Sequence, residues 1–381
     1  MELKTAFASF LRDIRPTENQ RADLQTGHKT LRDRLNADAD LKGCVVSDFL
    51  QGSYRRSTAI RPKGDRRSDV DIIVVTKLSE DEHTPGEAID DLFRPFLDKY
   101  YKGKWEPQGR SIGIELSYVE LDLVITSAPS EAEIGILKSQ AVTSDDGLEE
   151  AKDWRLNGSW IALDSRERSD ARTLLGKAEQ EEEWKAQPLR IPDSVAKVWE
   201  PTHPLAQIAW TRDKNARTDG HFVNVVKAIK WWRVENYQEP KHPKGFPLER
   251  LIGEHCPDGV ASIAEGVVTT LERIVSQYAA LVQVGGKPRL PDYGVSTHDV
   301  FKRISADDFA KFFEQAKAGA NLARRAFDSQ DRMESGHLWR ELFGGKFPAP
   351  PKSSGGDSGE SNGGGYTPPT GPAVPGSGRF A

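Results

Sequence analysis

Few folds can accommodate residues 68–75, SDVDIIVV, in which two carboxylates one residue apart lead into a strongly apolar run. β-Branched residues dominate this run, which favours a buried strand. In a strand, residues i and i+2 point to the same face. Asp69 and Asp71 are therefore predicted to project together, while Val70 and residues 72–75 enter the core. The first prediction is a buried strand that begins with an acidic pair.

A third carboxylate lies within a second apolar segment. Residues 111–126, SIGIELSYVELDLVIT, alternate between apolar and other residues over much of their length, which predicts one strand. Asp122 lies in this segment between two leucines, and a buried carboxylate in the middle of a strand needs a partner. If the two strands are neighbours, Asp69, Asp71 and Asp122 can share a pair of metal ions.

The chemistry of such a cluster points to divalent metals. Like charges at close range cost free energy unless a cation lies between them, and Mg²⁺ prefers oxygen ligands. Two metals about 3.5–4 Å apart can stabilise the attacking and leaving oxygens of an in-line phosphoryl displacement. Two Mg²⁺ ions, which Mn²⁺ can replace, are therefore predicted at the three aspartates. A single acidic pair without the third carboxylate is more often only a solvated strand end.

A Gly-Ser pair precedes the first strand. Gly52 lets the backbone approach a ligand closely, and Ser53 offers an N–H and a hydroxyl to phosphate oxygens. If residues 53–59, SYRRSTA, begin a helix, its N-terminus is an anion site. Gln51 either lines the same pocket or makes an ordinary turn contact. The Gly-Ser pair, the acidic pair and the third acid occur in this order, and together they indicate a phosphate- and metal-binding site much more specifically than any one of them does.

The rest of the chain divides by its periodicity. Helices are predicted over residues 4–14, 17–37, 87–101, 204–213, 220–237, 247–256, 260–282 and 307–330. The N-terminal half thus mixes helix and strand, and the C-terminal half is nearly all helix. Residues 143–187 are polar and are interpreted as an excursion or a surface helix. Residues 347–381 are rich in Gly, Pro and Ser, which predicts a disordered tail.

Composition excludes several classes of protein. A chain of 381 residues with a net charge of -5 is not a general nucleic-acid binder. The two cysteines, Cys44 and Cys256, are far apart and have neither disulfide-framework nor metal-ligand spacing. The N-terminus lacks the apolar region of a signal peptide, and no run approaches the 18 apolar residues of a membrane span. We therefore expect a cytoplasmic protein without membrane association.

Several motifs together resemble the nucleotidyltransferases of the polymerase β type. They are QGS at 51–53, SDVDIIVV at 68–75 and LDLV at 121–124. The longer QGSYRRSTAIRP, residues 51–62, is similar to the CD-NTases, bacterial relatives of cGAS that make cyclic oligonucleotide second messengers for antiphage defence. The segments VVKAIKWWRVEN, 225–236, and HLWRELFGGKFP, 337–348, resemble the phosphate-contacting helix of this family and the end of its folded part.

The resemblance implies a fold, an activity and a set of site residues. The fold is a bilobed α+β nucleotidyltransferase with a catalytic lobe at 1–190, whose N-terminal helices contribute to the lobe interface. A helical nucleotide-binding lobe at 191–346 and a disordered tail at 347–381 complete the chain. ATP and GTP would be joined into a cyclic di- or trinucleotide by attack of a 3′-hydroxyl on an α-phosphate, with release of pyrophosphate. Lys230 matches the lysine that contacts the phosphates, although an amphipathic helix with solvated lysines is the alternative reading.

The chain also departs from the family pattern. Relatives often place a serine on the helix that follows the lysine, where this chain has Gly245 or Lys244. A backbone N–H or an ammonium could replace that hydroxyl. The chain lacks the Cys-His zinc insertion of an animal DNA sensor, so activation is not expected to require DNA. Some CD-NTases are conjugated through their C-terminal carboxylate by a partner that resembles ubiquitin-activating (E1) and ubiquitin-conjugating (E2) enzymes, which here would act on Ala381.

Two other functions remain open on sequence alone. A terminal nucleotidyl adder that acts on an RNA 3′ end would use the same acids, but it would need a basic groove that the net charge does not suggest. A non-catalytic nucleotide-binding scaffold is the third possibility. Three clustered acids argue against it, because a scaffold has no reason to hold them together.

Overall fold

A computed structural model of the protein describes residues 1–64, 66–80, 82–127, 189–193, 197–237 and 239–350. Met1–Pro350 form one compact unit. The segment 143–187, interpreted above as an excursion or a surface helix, and the C-terminal Ala381 lie outside the described residues.

Helices form where apolar residues recur at helical spacing, and every predicted helix is present within a few residues of its predicted bounds. In chain order they are α1 Lys4–Ile14, α2 Glu18–Ala37, α3 Gly52–Arg55, α4 Pro85–Glu87, α5 Arg94–Tyr101, α6 Pro204–Arg217, α7 Phe222–Asn236, α8 Gly245–His255, α9 Ile263–Gln283, α10 Ala306–Asp328 and α11 Arg332–Phe343. A π-helical stretch, Ala88–Phe93, joins α4 to α5. Thr17 caps α2 through a reciprocal capping box with Gln20. None of the described helices combines the length and hydropathy that a membrane span needs.

The strands form one mixed sheet. They are β1 Val45–Gln51, β2 Asp69–Thr76, β3 Trp105–Pro107, β4 Ile112–Glu115, β5 Glu120–Ser127, β6 Leu189–Asp193 and β7 Val198–Thr202. The strand order is β1-β2-β5-β4-β3, with β6 paired to β5 and to β7. Strands β2 and β5 are parallel, and the other pairs are antiparallel. This sheet with its helices confirms the predicted α+β class.

The prediction of one strand over residues 111–126 is wrong, because the structure has a hairpin there. Strands β4 and β5 pair with each other, and Leu116 N–H donates to the Val119 carbonyl at the turn. The reason lies in the phase of the alternation. Apolar residues occupy even positions up to Leu116 and odd positions from Val119, and a strand cannot change faces without a break.

The two faces of the sheet bury different partners. Val70, Ile72 and Val74 of β2 pack in a cluster with α2 and α5, whereas Ile73 and Val75 pack on the opposite face. Because side chains alternate along a strand, Asp69 and Asp71 belong to the face of Ile73 and Val75. The acidic pair therefore lies at the start of a strand that is buried on both sides.

The helical half has its own core, and α1 belongs to it. Phe7 and Phe10 of α1 lie in one cluster with residues of α7, α9, α10 and α11. Phe10 stacks on Phe343, with ring centroids 4.5 Å apart. Phe347, which the sequence analysis assigned to the tail, is fully buried in this cluster. The compact unit accordingly extends to Pro350.

Candidate active site

The predicted carboxylates occupy neighbouring positions on the sheet. Asp71 of β2 is directly opposite Asp122 of β5, and Gln51 of β1 is opposite Asp71 on its other side. Asp69 lies two residues before Asp71 on the same face of β2. One row across three strands thus carries Gln51, Asp71 and Asp122, and the expectation that β2 and β5 are neighbours is confirmed.

Crowding of these acids changes their protonation. Burial, together with the charges of Asp69 and Asp122, raises the pKa of Asp71 to about 7. Burial and the charge of Asp69 likewise raise the pKa of Asp122 to about 6. Both shifts have the sign expected for carboxylates that share a site without sufficient positive charge.

The donor set fits a divalent cation. No three His, Cys, Asp or Glu side chains in the described part of the chain are arranged so that they could hold a metal ion by themselves. The three aspartates nevertheless supply only oxygen donors, which suit Mg²⁺. A cation between them would offset the burial and the repulsion that raise the pKa values of Asp71 and Asp122. Substrate phosphates and water commonly complete such sites.

Gly52 permits the closest approach in the site. Its φ is +74°, in the left-handed region, and a Cβ at this position would overlap Oδ2 of Asp71. Both the backbone angle and the contact require glycine here. The turn therefore lies directly against the central carboxylate, as expected for backbone that must come close to a ligand.

Ser53 lies in α3, a single helical turn. The Ser53 carbonyl accepts from the Thr58 and Ala59 N–H groups, at 2.9 and 3.1 Å, which folds the chain back after the turn. The longer helix that residues 53–59 could have begun is not formed, because α3 ends at Arg55. Ser53 is thus held beside the acids by a compact loop.

Lys230 forms a buried ion pair that joins the two halves of the unit. Its Nζ lies 2.9 Å from the Glu249 carboxylate and donates to the Thr58 carbonyl at 3.0 Å. The other Glu249 oxygen accepts from Arg56 Nε at 3.1 Å. These two cations keep the pKa of Glu249 at about 2 in spite of its burial. Lys230 is thereby positioned next to the loop that follows Ser53.

Gly245 begins the helix that supplies Glu249. Its φ is +56°, and nothing lies within 4 Å of the position that a Cβ would take. Helix α8 packs against α3, and the guanidinium of Arg56 lies 5.0 Å from the centre of the Phe246 ring. The open space at Gly245 is compatible with ligand contact, while the contact itself remains a prediction.

Three residues at the site, Arg56, Glu249 and Gln207, are not singled out by any sequence motif. Arg56 and Glu249 connect α3 to α8, and the side-chain amide of Gln51 donates to Gln207 of α6 at 3.4 Å. Gln207 in turn donates to the buried Asp292 at 2.8 Å. A glutamate within the apolar periodicity of residues 247–256 was the available signal for Glu249. The partners of Arg56 and Gln207 are too distant in sequence for any local pattern.

Known proteins are similar to this chain both in sequence and in fold. Residues 1–130 match the profile of the Second Messenger Oligonucleotide or Dinucleotide Synthetase (SMODS) domain. Cyclic AMP-AMP-GMP synthase of Enterobacter hormaechei subsp. hoffmannii (strain UCI 50) is 50% identical over 388 residues and covers 100% of both chains. Cyclic AMP-AMP-AMP synthase of Acinetobacter sp. (strain ATCC 27244 / 9458) is 29% identical over 352 residues, covering 91% of this chain and 86% of its own.

Among solved structures, the CD-NTase CdnG of Bradyrhizobium diazoefficiens in complex with GTP aligns with a TM-score of 0.62. The aligned region covers 89% of this chain and 94% of that chain at 14% identity. This likeness confirms the predicted nucleotidyltransferase fold.

Proposed function

This chain belongs to the CD-NTase family of cyclic oligonucleotide synthases, and we propose that it makes cyclic AMP-AMP-GMP from ATP and GTP. The observation that carries this choice of product is the 50% identity to a cyclic AMP-AMP-GMP synthase over the full length of both chains. The relative named for cyclic AMP-AMP-AMP is only 29% identical. The product is thereby narrowed from a di- or trinucleotide to a trinucleotide, released as a second messenger in antiphage signalling of the CBASS type.

Enzymes of this family depend on divalent metal ions, and we assign the metal site of this chain to Asp69, Asp71 and Asp122. Their shared position on the sheet and the raised pKa values of Asp71 and Asp122 support the assignment. Two Mg²⁺ ions, which Mn²⁺ can replace, would supply Lewis-acid stabilisation of the negative charge on the reacting phosphate.

The chain's own residues orient the substrates for each transfer. A 3′-oxygen forms a bond to the α-phosphorus of an NTP while the bond from that phosphorus to the bridging oxygen breaks, and pyrophosphate leaves. The proton of the 3′-hydroxyl leaves to water as this bond forms, and Asp122 would hold the metal ion beside that hydroxyl. Ser53 and Lys230 hold the leaving pyrophosphate, and Gly52 gives it close access to the backbone.

Two further pocket contacts follow from the arrangement. Gln51 lies in the same row as Asp71, and its hydrogen bond to Gln207 orients its side chain at the edge of the pocket. Gly245 offers a backbone N–H in place of the serine of relatives.

The cyclic product needs three nucleotidyl transfers. Two transfers make the linear trinucleotide, and in the third the last 3′-oxygen attacks the first α-phosphorus, which closes the ring and releases pyrophosphate.

Labelled ATP and GTP test this function. Purified protein is incubated with both nucleotides and Mg²⁺ or Mn²⁺, without DNA, and the products are treated with phosphatase. Phosphatase-resistant small products are expected. Extension of an added RNA 3′ end would instead identify a terminal nucleotidyl adder, and no product under any of these conditions would indicate a nucleotide-binding scaffold.

We also propose a protein partner that resembles E1 and E2 enzymes and acts on the C-terminal carboxylate, that of Ala381. The support is the composition of residues 347–381, which are rich in Gly, Pro and Ser. Beyond Pro350, a coil of the 31 residues 351–381 spans on the order of 30 Å, which is enough to reach a separate active site. In this proposal the carboxylate is adenylated, passed to a partner cysteine and then joined to an amine.

A further inference from the structure

One face of α7 carries a polar residue at every third position. Asn224, Lys227 and Lys230 are separated by three residues each, so they lie along one side of the helix. Asn224 accepts from a guanidinium nitrogen of Arg15 at 2.8 Å, and Lys230 pairs with Glu249. Lys227 therefore lies between two cationic side chains. Arg15 contacts Asn224, three residues before Lys227, and Lys230 lies three residues after it.

Lys227 is a buried cation without a countercharge. The residue is only 4% exposed, and no hydrogen bond or ion pair to it is present within the described part of the chain. The charged groups that act on it most strongly are Arg15 and Lys230, both positive. Burial and this repulsion together lower the pKa of Lys227 well below its usual value. A buried ammonium in such surroundings is unfavourable unless an anion accompanies it.

Arg15 is also incompletely satisfied. One guanidinium nitrogen donates to Asn224, but Nε is enclosed and has no hydrogen-bond partner among the described residues. Arg61 adds a further positive charge nearby, because its Nε donates to the Arg15 carbonyl at 3.1 Å. Guanidinium groups with a free donor edge match the oxygens of phosphate.

The carboxylate of Glu249, which pairs with Lys230, does not neutralise this cluster. Glu249 is shared by Lys230 and Arg56, with N–O distances of 2.9 and 3.1 Å. Arg15, Lys227 and Arg61 are thus left without an acidic partner among the residues that the structure describes. A ligand with several negative charges would pair with the ammonium of Lys227 and offset the positive charge of Arg15 at once.

We propose that Arg15 and Lys227 form a binding site for a phosphate group of an oligophosphate ligand. The site begins about 5 Å from Lys230, which is one turn of α7. Two sources supply the same chemistry: the polyphosphate tail of an NTP bound at the candidate active site, or a separate phosphorylated ligand. The proposal does not depend on which nucleotide is made, since it concerns binding in the absence of turnover.

Binding of inorganic tripolyphosphate to the full-length protein tests the site, with melting temperature and titration calorimetry as readouts. Lys227→Met removes the charge while keeping a side chain of similar length. We expect its affinity for tripolyphosphate to fall on the order of tenfold to a hundredfold, the effect of losing one hydrogen bond to a charged group. Without ligand, its melting temperature should equal or exceed that of the unmodified protein.

Lys214→Met is the matched control. Lys214 is 6% exposed but pairs with Asp258 at 2.5 Å, so it is a buried lysine that already has a partner. This variant should lose stability and keep its affinity for tripolyphosphate. Equal tripolyphosphate affinity in Lys227→Met and the unmodified protein would overturn the proposal.

Competition between tripolyphosphate and an ATP analogue distinguishes the two possible sources of the phosphate group, the NTP tail and a separate ligand. If the phosphate belongs to the NTP tail, a non-hydrolysable ATP analogue will displace tripolyphosphate, and Lys227→Met will weaken the analogue as well. If the ligand is a separate molecule, tripolyphosphate will still bind when the analogue is saturating. A protein that bound tripolyphosphate through Lys227 but made no cyclic product would contradict the proposed function and leave this site intact.

Discussion

The contact between Gly52 and Asp71 is the tightest restriction in the site at the scale of single residues. Gly52→Ala should lower both synthesis and melting temperature, because a Cβ there would overlap the Asp71 carboxylate. The left-handed backbone alone costs an alanine about 1–2 kcal/mol. Gly245→Ala isolates that backbone cost, since Gly245 has a similar φ of +56° and nothing within 4 Å. Gly52→Ala should be the less stable variant in thermal melts, and equal losses would remove the argument from the carboxylate contact.

Loss of the acidic pair should abolish synthesis and preserve the fold. Asp69→Asn with Asp71→Asn removes the charge that would hold the metals, and a loss of roughly 4 kcal/mol in transition-state stabilisation lowers the rate about a thousandfold. Removal of their mutual repulsion should leave the metal-free melting temperature unchanged or raised. Asp91→Asn, at an exposed position, is the control. Turnover within tenfold of the unmodified enzyme would exclude these aspartates as metal ligands.

The raised pKa values predict how pH affects metal binding. In the metal-free protein Asp71 has a pKa of about 7 and Asp122 of about 6. The pKa of an aspartate in an unfolded chain is about 4, so the folded state binds the protons of Asp71 and Asp122 more tightly. The two groups therefore lower the free energy of unfolding as pH rises toward 7. Metal requires the ionised forms. The apparent Mg²⁺ affinity should therefore increase from about pH 5.5 to 7.5 and then level off.

Calorimetric titration of Mg²⁺ at several pH values measures this dependence. Asp71→Asn should bind Mg²⁺ more weakly and show a shallower pH profile, because the group with the highest pKa in the cluster has been removed. An affinity that is constant between those pH values would contradict the assignment of metal to this cluster.

At the scale of elements, α3, α7 and α8 meet around Glu249. Ser53→Ala and Lys230→Ala should each weaken binding of a non-hydrolysable NTP, on the order of tenfold for a lost charged contact. Lys230→Ala should also lower the melting temperature, since it removes one of two cations from a buried carboxylate. Adenosine, which has no phosphates, is the control ligand and should bind both variants as it binds the unmodified protein. Unchanged NTP affinity in both variants would leave Ser53 and Lys230 with structural roles only.

Elements with strong local periodicity could be predicted from the sequence, and those defined by long-range pairing could not. The run after Asp71 and the helical spacing of residues 260–282 determine their own structure. The turn between β4 and β5 does have a signal in the sequence, because the alternation of apolar residues changes phase after Leu116. Strands β3, β6 and β7 are three to five residues long and are defined by the strands beside them, so their own residues give little signal.

The same distinction applies to the residues of the candidate site, of which only some could be predicted from the sequence. The three aspartates are predictable because carboxylates in apolar strands are rare. Arg56 and Glu249 are 193 residues apart in sequence, and only the folded chain reveals their ion pair. The lack of countercharge at Lys227 is likewise a property of its neighbours, which come from α1 and α7.

At the scale of the whole molecule, synthesis and conjugation should be separable. Truncation after Pro350 keeps the compact unit and the buried Phe347. The truncated protein should retain nucleotidyl transfer in vitro, because no predicted site residue for that reaction lies beyond Pro350. It should lose conjugation to a partner and weaken any defence against phage in cells. If truncation stops synthesis by the purified protein, residues 351–381 belong to the enzyme itself.

The stoichiometry of the reaction tests the central claim most directly. The consumption of ATP and GTP and the release of pyrophosphate are measured together with the amount of phosphatase-resistant product. Synthesis of one molecule of cyclic AMP-AMP-GMP consumes two ATP and one GTP and releases three pyrophosphates. A linear trinucleotide would release one pyrophosphate fewer and keep a phosphatase-sensitive 5′ end. Three pyrophosphates per resistant trinucleotide are the predicted result, and two per phosphatase-sensitive product, or consumption of a single nucleotide, would contradict it.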